Sequence, residues 1–193
     1  MKKINTKIAL MLTLLASSLA SVVHAQQTFS ISDVKEMKVS GTSTLHDWDM
    51  VAETGVEGQA IINLADKKIE SIQSLSLSLN SKALKSGKSS MDKNAYEAIK
   101  ADDFPKITFE LTKVEEMTPS TIKAKGKLNI AGNSRDLTMT VNYSVQGSSI
   151  LFTGKQDITF EQFSLEPPTA VFGTIKTGNE LTLSFQAIYS TKN

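Results

Sequence analysis

The chain has 193 residues, with 21 lysine and arginine side chains against 20 aspartate and glutamate side chains, and it contains no cysteine. Without cysteine there is neither a disulfide framework nor a cysteine-linked lipid anchor. The near-neutral charge offers no basic face of the kind that nucleic acid requires, so we expect no nucleic-acid partner.

The first 25 residues have the order of a secretory signal peptide. A lysine-containing start, MKKINTK, is followed by the apolar run IALMLTLLASSLASVV and the small-residue end VHA. The pattern predicts cleavage after Ala25, export to the periplasm or beyond the cell, and a single domain over residues 26–193. Loss of three lysines would leave 18 basic against 20 acidic side chains. No later apolar run reaches the eighteen or so residues of a membrane helix.

Strict alternation of apolar and polar residues predicts β-strands along most of the remaining chain. About eight segments alternate in this way. In chain order they are MKVSGTSTL, VEGQAIINL, LSLSLNS, KITFELTKV, IKAKGKLNI, LTMTVNYSV, ILFTGKQDITF and LTLSFQAIY.

One segment between the third and fourth strands, SSMDKNAYEAIKADDF, has helical spacing instead. Ser89 or Ser90 is the expected N-cap, and Pro105 stops the chain from continuing as a helix. The predicted helix spans about residues 90–101. Its apolar stripe consists of Met91, Ala95 and Ile99.

A hairpin is expected around the turn-rich sequence AGNSRD, because the strands on both sides alternate. The register that keeps both apolar faces together sets Ile130 opposite Leu137 and Gly126 opposite Val141.

Serial antiparallel strands with one apolar face close into a barrel or pair as a sandwich, since an open sheet leaves its edges unprotected. A membrane barrel would turn the apolar face to lipid and carry aromatic girdles at both interfaces. The chain has only eight Phe, three Tyr and one Trp. We therefore expect no stable membrane insertion.

Three segments together resemble the YceI-like family of secreted bacterial proteins. They are MDKNAYEAIKADDFPKITFELTKVEE, IKAKGKLNIAGNSRDLTMTV and FTGKQDITFEQFSLEPP. The resemblance spans about residues 30–190. It implies a lipocalin-like antiparallel barrel of about eight strands, whose apolar pore holds an extended amphiphile such as a polyisoprenoid or a fatty-acid-like chain. It also allows a homodimer.

The predicted pore lining combines apolar side chains on inward positions with small residues that would leave room for a ligand. The expected lining residues are Trp48, Phe104, Phe109, Leu128, Met139, Val141, Tyr143, Phe152, Phe160, Phe172 and Phe185. The small residues interpreted as leaving space are Gly58, Ala60, Ala124, Gly126, Gly154 and Ala187.

His46 and Trp48, the only tryptophan of the chain, lie two residues apart. Read as one strand, this stretch places both on one face and Asp47 and Asp49 on the other, so the neighbouring acids point away from His46. A catalytic triad or a metal site would need further partners that the sequence does not supply. We expect a packing or rim role for His46, with no catalytic residues, no metal and no cofactor.

Three functions remain from sequence. The first is a secreted or periplasmic binding protein for an extended lipid, serving transport, storage or stress response. The second is a ligand-free barrel that acts through protein partners. The third, which lacks a visible catalytic constellation, is an enzyme acting on a lipid inside the barrel.

Overall fold

Eight long antiparallel strands form a closed barrel in the computed structural model, which describes residues 26–65 and 67–191. The predicted signal peptide lies outside the described residues. The long strands are β1 (Gln27–Ser43), β3 (Val56–Ala65), β4 (Lys68–Asn80), β6 (Lys106–Met117), β7 (Thr121–Ile130), β8 (Asn133–Gln146), β9 (Ser149–Thr159) and β11 (Ile175–Thr191). Shorter elements are β2 (Trp48–Ala52), β5 (Leu84–Lys85), β10 (Thr169–Ala170) and the helix α1 (Ser89–Ala98).

Most neighbouring strands of the barrel are also neighbours in sequence. The order is β11-β9-β8-β7-β6-β4-β3-β1, and pairing of β1 with β11 from Phe29 opposite Thr191 to Ser43 opposite Thr177 closes the ring. The other edge of β1 pairs with β3 at one end and with β2 at the other. The short β2 and β5 thus extend the wall at the end of the barrel where α1 lies.

The apolar face of each strand points into the barrel. In β7, Ile122, Ala124, Leu128 and Ile130 are buried, while the lysines between them are exposed. The prediction of an all-β, lipocalin-like barrel with one helix is confirmed.

The predicted β7–β8 register is wrong by four residues. Gly126 pairs with Leu137 instead of Val141, and Ile130 pairs with Asn133. The cause is a two-residue turn, because Ala131 (φ 50°) and Gly132 (φ 78°) both adopt the left-handed conformation that a tight hairpin needs. An even shift leaves every side chain on its predicted face.

The helix is shorter than predicted and starts differently. It begins at Ser89, and its N-cap is Lys88, which makes no capping side-chain hydrogen bond, so the prediction of a serine cap is wrong. The loop before the helix is held instead by Asp92, whose Oδ1 accepts hydrogen bonds from the amide (2.8 Å) and the hydroxyl (2.6 Å) of Ser86.

A packed cluster closes the barrel at the end away from the helix. Its largest fully buried side chains include Phe29, Ile62, Ile150 and Tyr189. The rings of Phe152 and Tyr189 meet edge to face, with their centroids 5.6 Å apart. The Tyr189 hydroxyl donates to the Ser76 carbonyl at 3.2 Å, so its polar atom is satisfied inside an apolar floor.

Candidate functional site

The centre of the barrel holds an apolar cavity of about 180 Å³. Aliphatic and aromatic side chains from β1, β4, β6, β7, β8, β9 and β11 line it, and Phe152 and Tyr189 lie at its floor. This deep cavity is the part of the barrel that the packed cluster leaves unfilled.

A wider cavity of about 930 Å³ lies above it, at the open end of the barrel. Its wall comes from α1, from the turn between β1 and β2, and from residues 160–175. The two cavities share five lining residues, so they adjoin each other along the barrel. We call this shared boundary the neck, and its residues are Val39, Leu84, Ile107, Ile130 and Leu183.

Nine of the eleven predicted lining residues border one of these two cavities. The deep cavity contains Phe109, Leu128, Met139, Val141, Phe152 and Phe185, and the upper cavity contains Trp48, Phe160 and Phe172. Whether these side chains contact a ligand stays a prediction.

Phe104 and Tyr143 lie outside both cavities. Phe104 is partly exposed at the end of the hairpin, where its ring covers Gly132 so closely that a Cβ there would lie 2.5 Å from Cε1. Tyr143 is buried in the closed end, and its hydroxyl donates to the Thr118 carbonyl at 3.0 Å. Alternation along a strand gives the inward face but not the depth at which a side chain lies.

The small inward residues do not all create free space. A Cβ on Gly126 would overlap the ring of Phe109, and one on Gly154 would lie 2.6 Å from Cζ of Phe185. At these two positions an aromatic ring from the adjacent strand fills the space next to the glycine. The interpretation of these glycines as free volume is therefore wrong, because the rings lie against the wall and the cavity lies beyond them.

His46 lies in a turn rather than on a strand face as predicted. The Ser43 hydroxyl donates to the His46 carbonyl (2.8 Å) and accepts from the amides of Leu45 and His46 (both 3.2 Å), which ends β1. The Nδ1 atom of His46 lies 2.7 Å from the Asp47 carbonyl oxygen. The Ser43 hydroxyl does not contact the His46 ring, so these two side chains do not form a pair of nucleophile and base.

Trp48 is fixed at the rim of the upper cavity. Its indole N–H donates to the Thr42 carbonyl at 3.0 Å, and its ring covers Gly41, where a Cβ would overlap it. Because this is the only tryptophan of the chain, it provides a single fluorescence reporter at this rim.

Two polar contacts hold α1 over the opening. The hydroxyl of Tyr96 donates to the carbonyl of Leu84 at 2.7 Å, and the carbonyl oxygen of Lys82 shares this hydrogen at 3.0 Å. Burial acts to raise the pKa of Asp92, but the hydrogen bonds from Ser86 and the charge of Lys85 outweigh it and lower this pKa below its usual value. Asp92 is therefore ionised at neutral pH and anchors the first turn of the helix.

Arg135 holds the opposite wall. Its guanidinium donates to the Gln162 carbonyl and to the Ser164 hydroxyl. These contacts fix the short turn of Glu161–Phe163, which carries the buried side chain of Phe163 in the upper cavity.

Several upper-cavity residues were missed by sequence reasoning, among them Met91, Ile99, Phe163 and Leu165. Met91 and Ile99 belong to the apolar stripe predicted for the helix, but no sequence pattern indicated that the helix covers one end of the barrel. Gln156 of the deep cavity was also missed. The sequence feature that could have identified Gln156 is its position among the even-numbered residues of β9, which are otherwise apolar or glycine.

No aspartate or glutamate lines either cavity within the described ranges. Lysine is present in both linings, as Lys38 in the deep cavity and Lys88 in the upper one. Over the same residues, no group of three or more His, Asp or Glu side chains could hold a metal ion. No helix in this part of the chain is long and apolar enough to cross a bilayer.

A closed antiparallel barrel with an apolar interior cavity and a second cavity at its open end places the chain in the class of lipocalin-like barrel proteins. Residues 20–188 match the model of the YceI-like domain, so the chain belongs to the YceI-like family. A search of curated proteins finds no match.

Solved structures share the fold at low sequence identity. The Burkholderia cenocepacia protein BcnA is 16% identical with a TM-score of 0.63, over 79% of this chain and 95% of that one. A polyisoprenoid-binding domain from Saccharophagus degradans, implicated in plant cell wall breakdown, is 11% identical with a TM-score of 0.64, over 86% and 99%. The Campylobacter jejuni YCEI protein is 18% identical with a TM-score of 0.57, over 70% and 82%.

Proposed function

We propose that this protein binds one extended amphiphilic lipid, a polyisoprenoid or a fatty-acid-like chain, inside the barrel without transforming it. The observation that carries the proposal is the pair of adjoining apolar cavities between the open end and the floor formed by Phe152 and Tyr189. The polyisoprenoid-binding domain with the same fold supports this class of ligand.

The free energy for binding comes from burying the chain of the ligand. Each methylene removed from water contributes about 0.8 kcal/mol, so ten methylenes contribute roughly 8 kcal/mol before the cost of immobilising the chain. The upper cavity volume of about 930 Å³ is of the size that takes a small-molecule ligand. Tight binding therefore requires no charged contact.

The open end suits a polar or anionic headgroup. No acidic side chain among the described residues lines the opening, whereas Lys88, Ser90 and Asn94 do. A carboxylate or phosphate placed there meets no like charge, and the apolar chain extends toward the neck.

We further propose that the protein works after export, in the periplasm or outside the cell, once residues 1–25 have been removed. The order of charged, apolar and small residues in that segment supports export. In that compartment the barrel would carry or store a lipid that water does not dissolve. Amino-terminal sequencing of the exported protein tests cleavage after Ala25.

The test of lipid binding begins with protein purified from the exported fraction without detergent. Organic extraction and mass spectrometry should yield a long-chain lipid in near-stoichiometric amount, and the emptied protein should bind a fluorescent fatty acid. Val141→Trp should fill the deep cavity, because Val141 lines it opposite Gly154. Asn142→Trp is the matched control, since Asn142 is the adjacent, exposed residue of β8.

The expected result is loss of lipid and probe from Val141→Trp with retention by Asn142→Trp, both folded by circular dichroism. Wild-type protein that yields no lipid and takes up no probe would favour the alternative of a ligand-free barrel acting through partners. Equal binding by both variants would move the ligand out of the deep cavity.

A further inference from the structure

One glutamine interrupts the apolar inner face of β9. The residues on this face are Ile150, Phe152, Gly154, Gln156, Ile158 and Phe160, and all except Gln156 are buried and apolar or glycine. Gln156 pairs with Leu183, a neck residue, which in turn pairs with Val39, another neck residue. The amide therefore lies at the level where the deep cavity meets the upper one.

The side-chain amide of Gln156 is only partly satisfied by the protein. Its Nε2 donates to the Asp157 carbonyl at 2.9 Å, and its Oε1 has no hydrogen-bond partner among the described residues. Oε1 is not sealed from solvent either, since the only buried unpaired side-chain atom in the described chain is Oδ1 of Asn63. One acceptor and one spare N–H thus remain open at the neck.

The other polar residues of the deep cavity differ from Gln156. The Tyr189 hydroxyl already donates to the Ser76 carbonyl, and the Lys38 ammonium lies 3.9 Å from the Asp49 carboxylate. Ser184 takes the strand position opposite to the inward Leu183 and Phe185. Gln156 is therefore the one lining residue that combines an inward strand position with unused hydrogen-bonding capacity, within the residues described.

We propose that Gln156 determines the specificity of the cavity by hydrogen bonding to a hydroxyl group of the ligand at the neck. The inference rests on the proposed lipid-binding function and names the chemistry of its ligand. A hydroxyl donates one hydrogen bond and accepts others, which matches the free Oε1 and the spare N–H of the amide. A ligand with no hydroxyl at the neck would strip water from the amide without replacing its hydrogen bonds, so it would bind less tightly than a ligand of the same skeleton that carries a hydroxyl there.

The test compares two ligands with the same C15 isoprenoid skeleton, farnesol with its hydroxyl group and farnesene without it. Binding to emptied protein is followed by the fluorescence of Trp48, the only tryptophan. Gln156→Met keeps the length of the side chain and removes its hydrogen bonds. Gln59→Met, at an exposed position of β3, is the matched control.

Gln156→Met should weaken farnesol binding about fivefold, as expected for one neutral hydrogen bond, and leave farnesene binding equal or tighter. Gln59→Met should change neither. An equal change for both ligands, or no change for either, would overturn the role of Gln156 while the lipid-binding proposal stands. Wild-type protein that binds neither ligand would overturn both proposals.

Discussion

The ring of Phe109 occupies the space in which a side chain at position 126 would lie. A Cβ on Gly126 would overlap the Cζ and Cε2 atoms of that ring and would lie 2.9 Å from the Glu110 carbonyl oxygen. The two residues belong to adjacent strands, β6 and β7, and Gly126 pairs with Leu111. The missing side chain lets the ring lie against the wall, so the cavity beside it stays open.

Gly126→Ala should therefore destabilise the protein and narrow the deep cavity, because the ring of Phe109 must move inward. We expect the free energy of unfolding in urea to fall by about 1–3 kcal/mol, the usual effect of overpacking. Capacity for the fluorescent fatty acid should fall in parallel.

The same substitution in a Phe109→Leu background supplies the control. Leucine is smaller than the ring, so the two changes should be non-additive and the double variant should recover part of the loss. Additive effects would mean that position 126 is constrained by the backbone and not by Phe109.

Tyr189 should make stability sensitive to alkaline pH. Burial raises its pKa above the ordinary 10.0, so the folded state keeps the neutral phenol while the unfolded state ionises. The contribution of the neutral Tyr189 phenol to the free energy of unfolding is complete below pH 10 and is lost as the pH rises above 10. The expected loss is about 1.4 kcal/mol per pH unit.

Urea unfolding of wild type and Tyr189→Phe measures this effect. The measurements run from about pH 8 to 11, because the ordinary tyrosine pKa is about 10. The variant should lose about 0.5–1.5 kcal/mol at neutral pH, since the bond to the Ser76 carbonyl is removed. Above pH 10, the free energy of unfolding of the variant should fall less steeply with pH than that of wild type. Parallel slopes would assign the alkaline loss to other groups.

Asp92 should have the opposite pH dependence. Its pKa is lowered in the folded state, so its contribution is present above the ordinary value of 3.8 and is lost as the pH falls below it. Asp92→Asn should cost about 1–2 kcal/mol at neutral pH, through weaker bonds to Ser86, and should flatten the acid limb of the stability curve.

Asp102→Asn is the control for Asp92→Asn. The carboxylate of Asp102 pairs with Lys82 on the surface, where such pairs contribute well under about 1 kcal/mol. Equal losses in the two variants would show that the buried hydrogen bonds to Ser86 do not stabilise the helix start.

Two phenylalanines of the same wall should respond differently to truncation. Phe163 is 1% exposed, whereas Phe172 is fully exposed at the rim. Phe163→Ala should cost about 3–5 kcal/mol, and Phe172→Ala should stay within about 0.5 kcal/mol. Thermal and urea unfolding measure both changes.

Phe172 should nevertheless contribute to ligand binding, because it borders the upper cavity. Partial burial of its ring by a lipid corresponds to about 1 kcal/mol, or roughly a fivefold loss of affinity in Phe172→Ala. Unchanged affinity for the fluorescent fatty acid would remove Phe172 from the predicted binding residues.

Alternation predicted the β-strands but left both a barrel and a sandwich open, and the resemblance to the YceI-like family favoured the barrel. In β7 and β11 the two-residue alternation predicts each inward residue, because successive side chains of a strand point to opposite faces. The same rule fixed the face of Phe109, Met139 and Phe152, which line the deep cavity. It failed for the depth of Tyr143, since residues on one face share a side of the sheet and not a level in the barrel.

The hairpin register and the position of the helix did not follow from alternation. The register of the β7–β8 hairpin depends on two left-handed residues, Ala131 and Gly132, and alanine carries no sequence signal for that conformation. The helix became a cover for the barrel only through Tyr96 and the backbone of β5.

The local sequence thus determined which residues face inward, because that depends only on the pleat of each strand. The tertiary structure decided where space remains inside. That space depends on which ring packs beside which glycine across neighbouring strands, as Phe109 does beside Gly126 and Phe185 beside Gly154. Cavity shape is a property of such packing between strands, and no single strand encodes it.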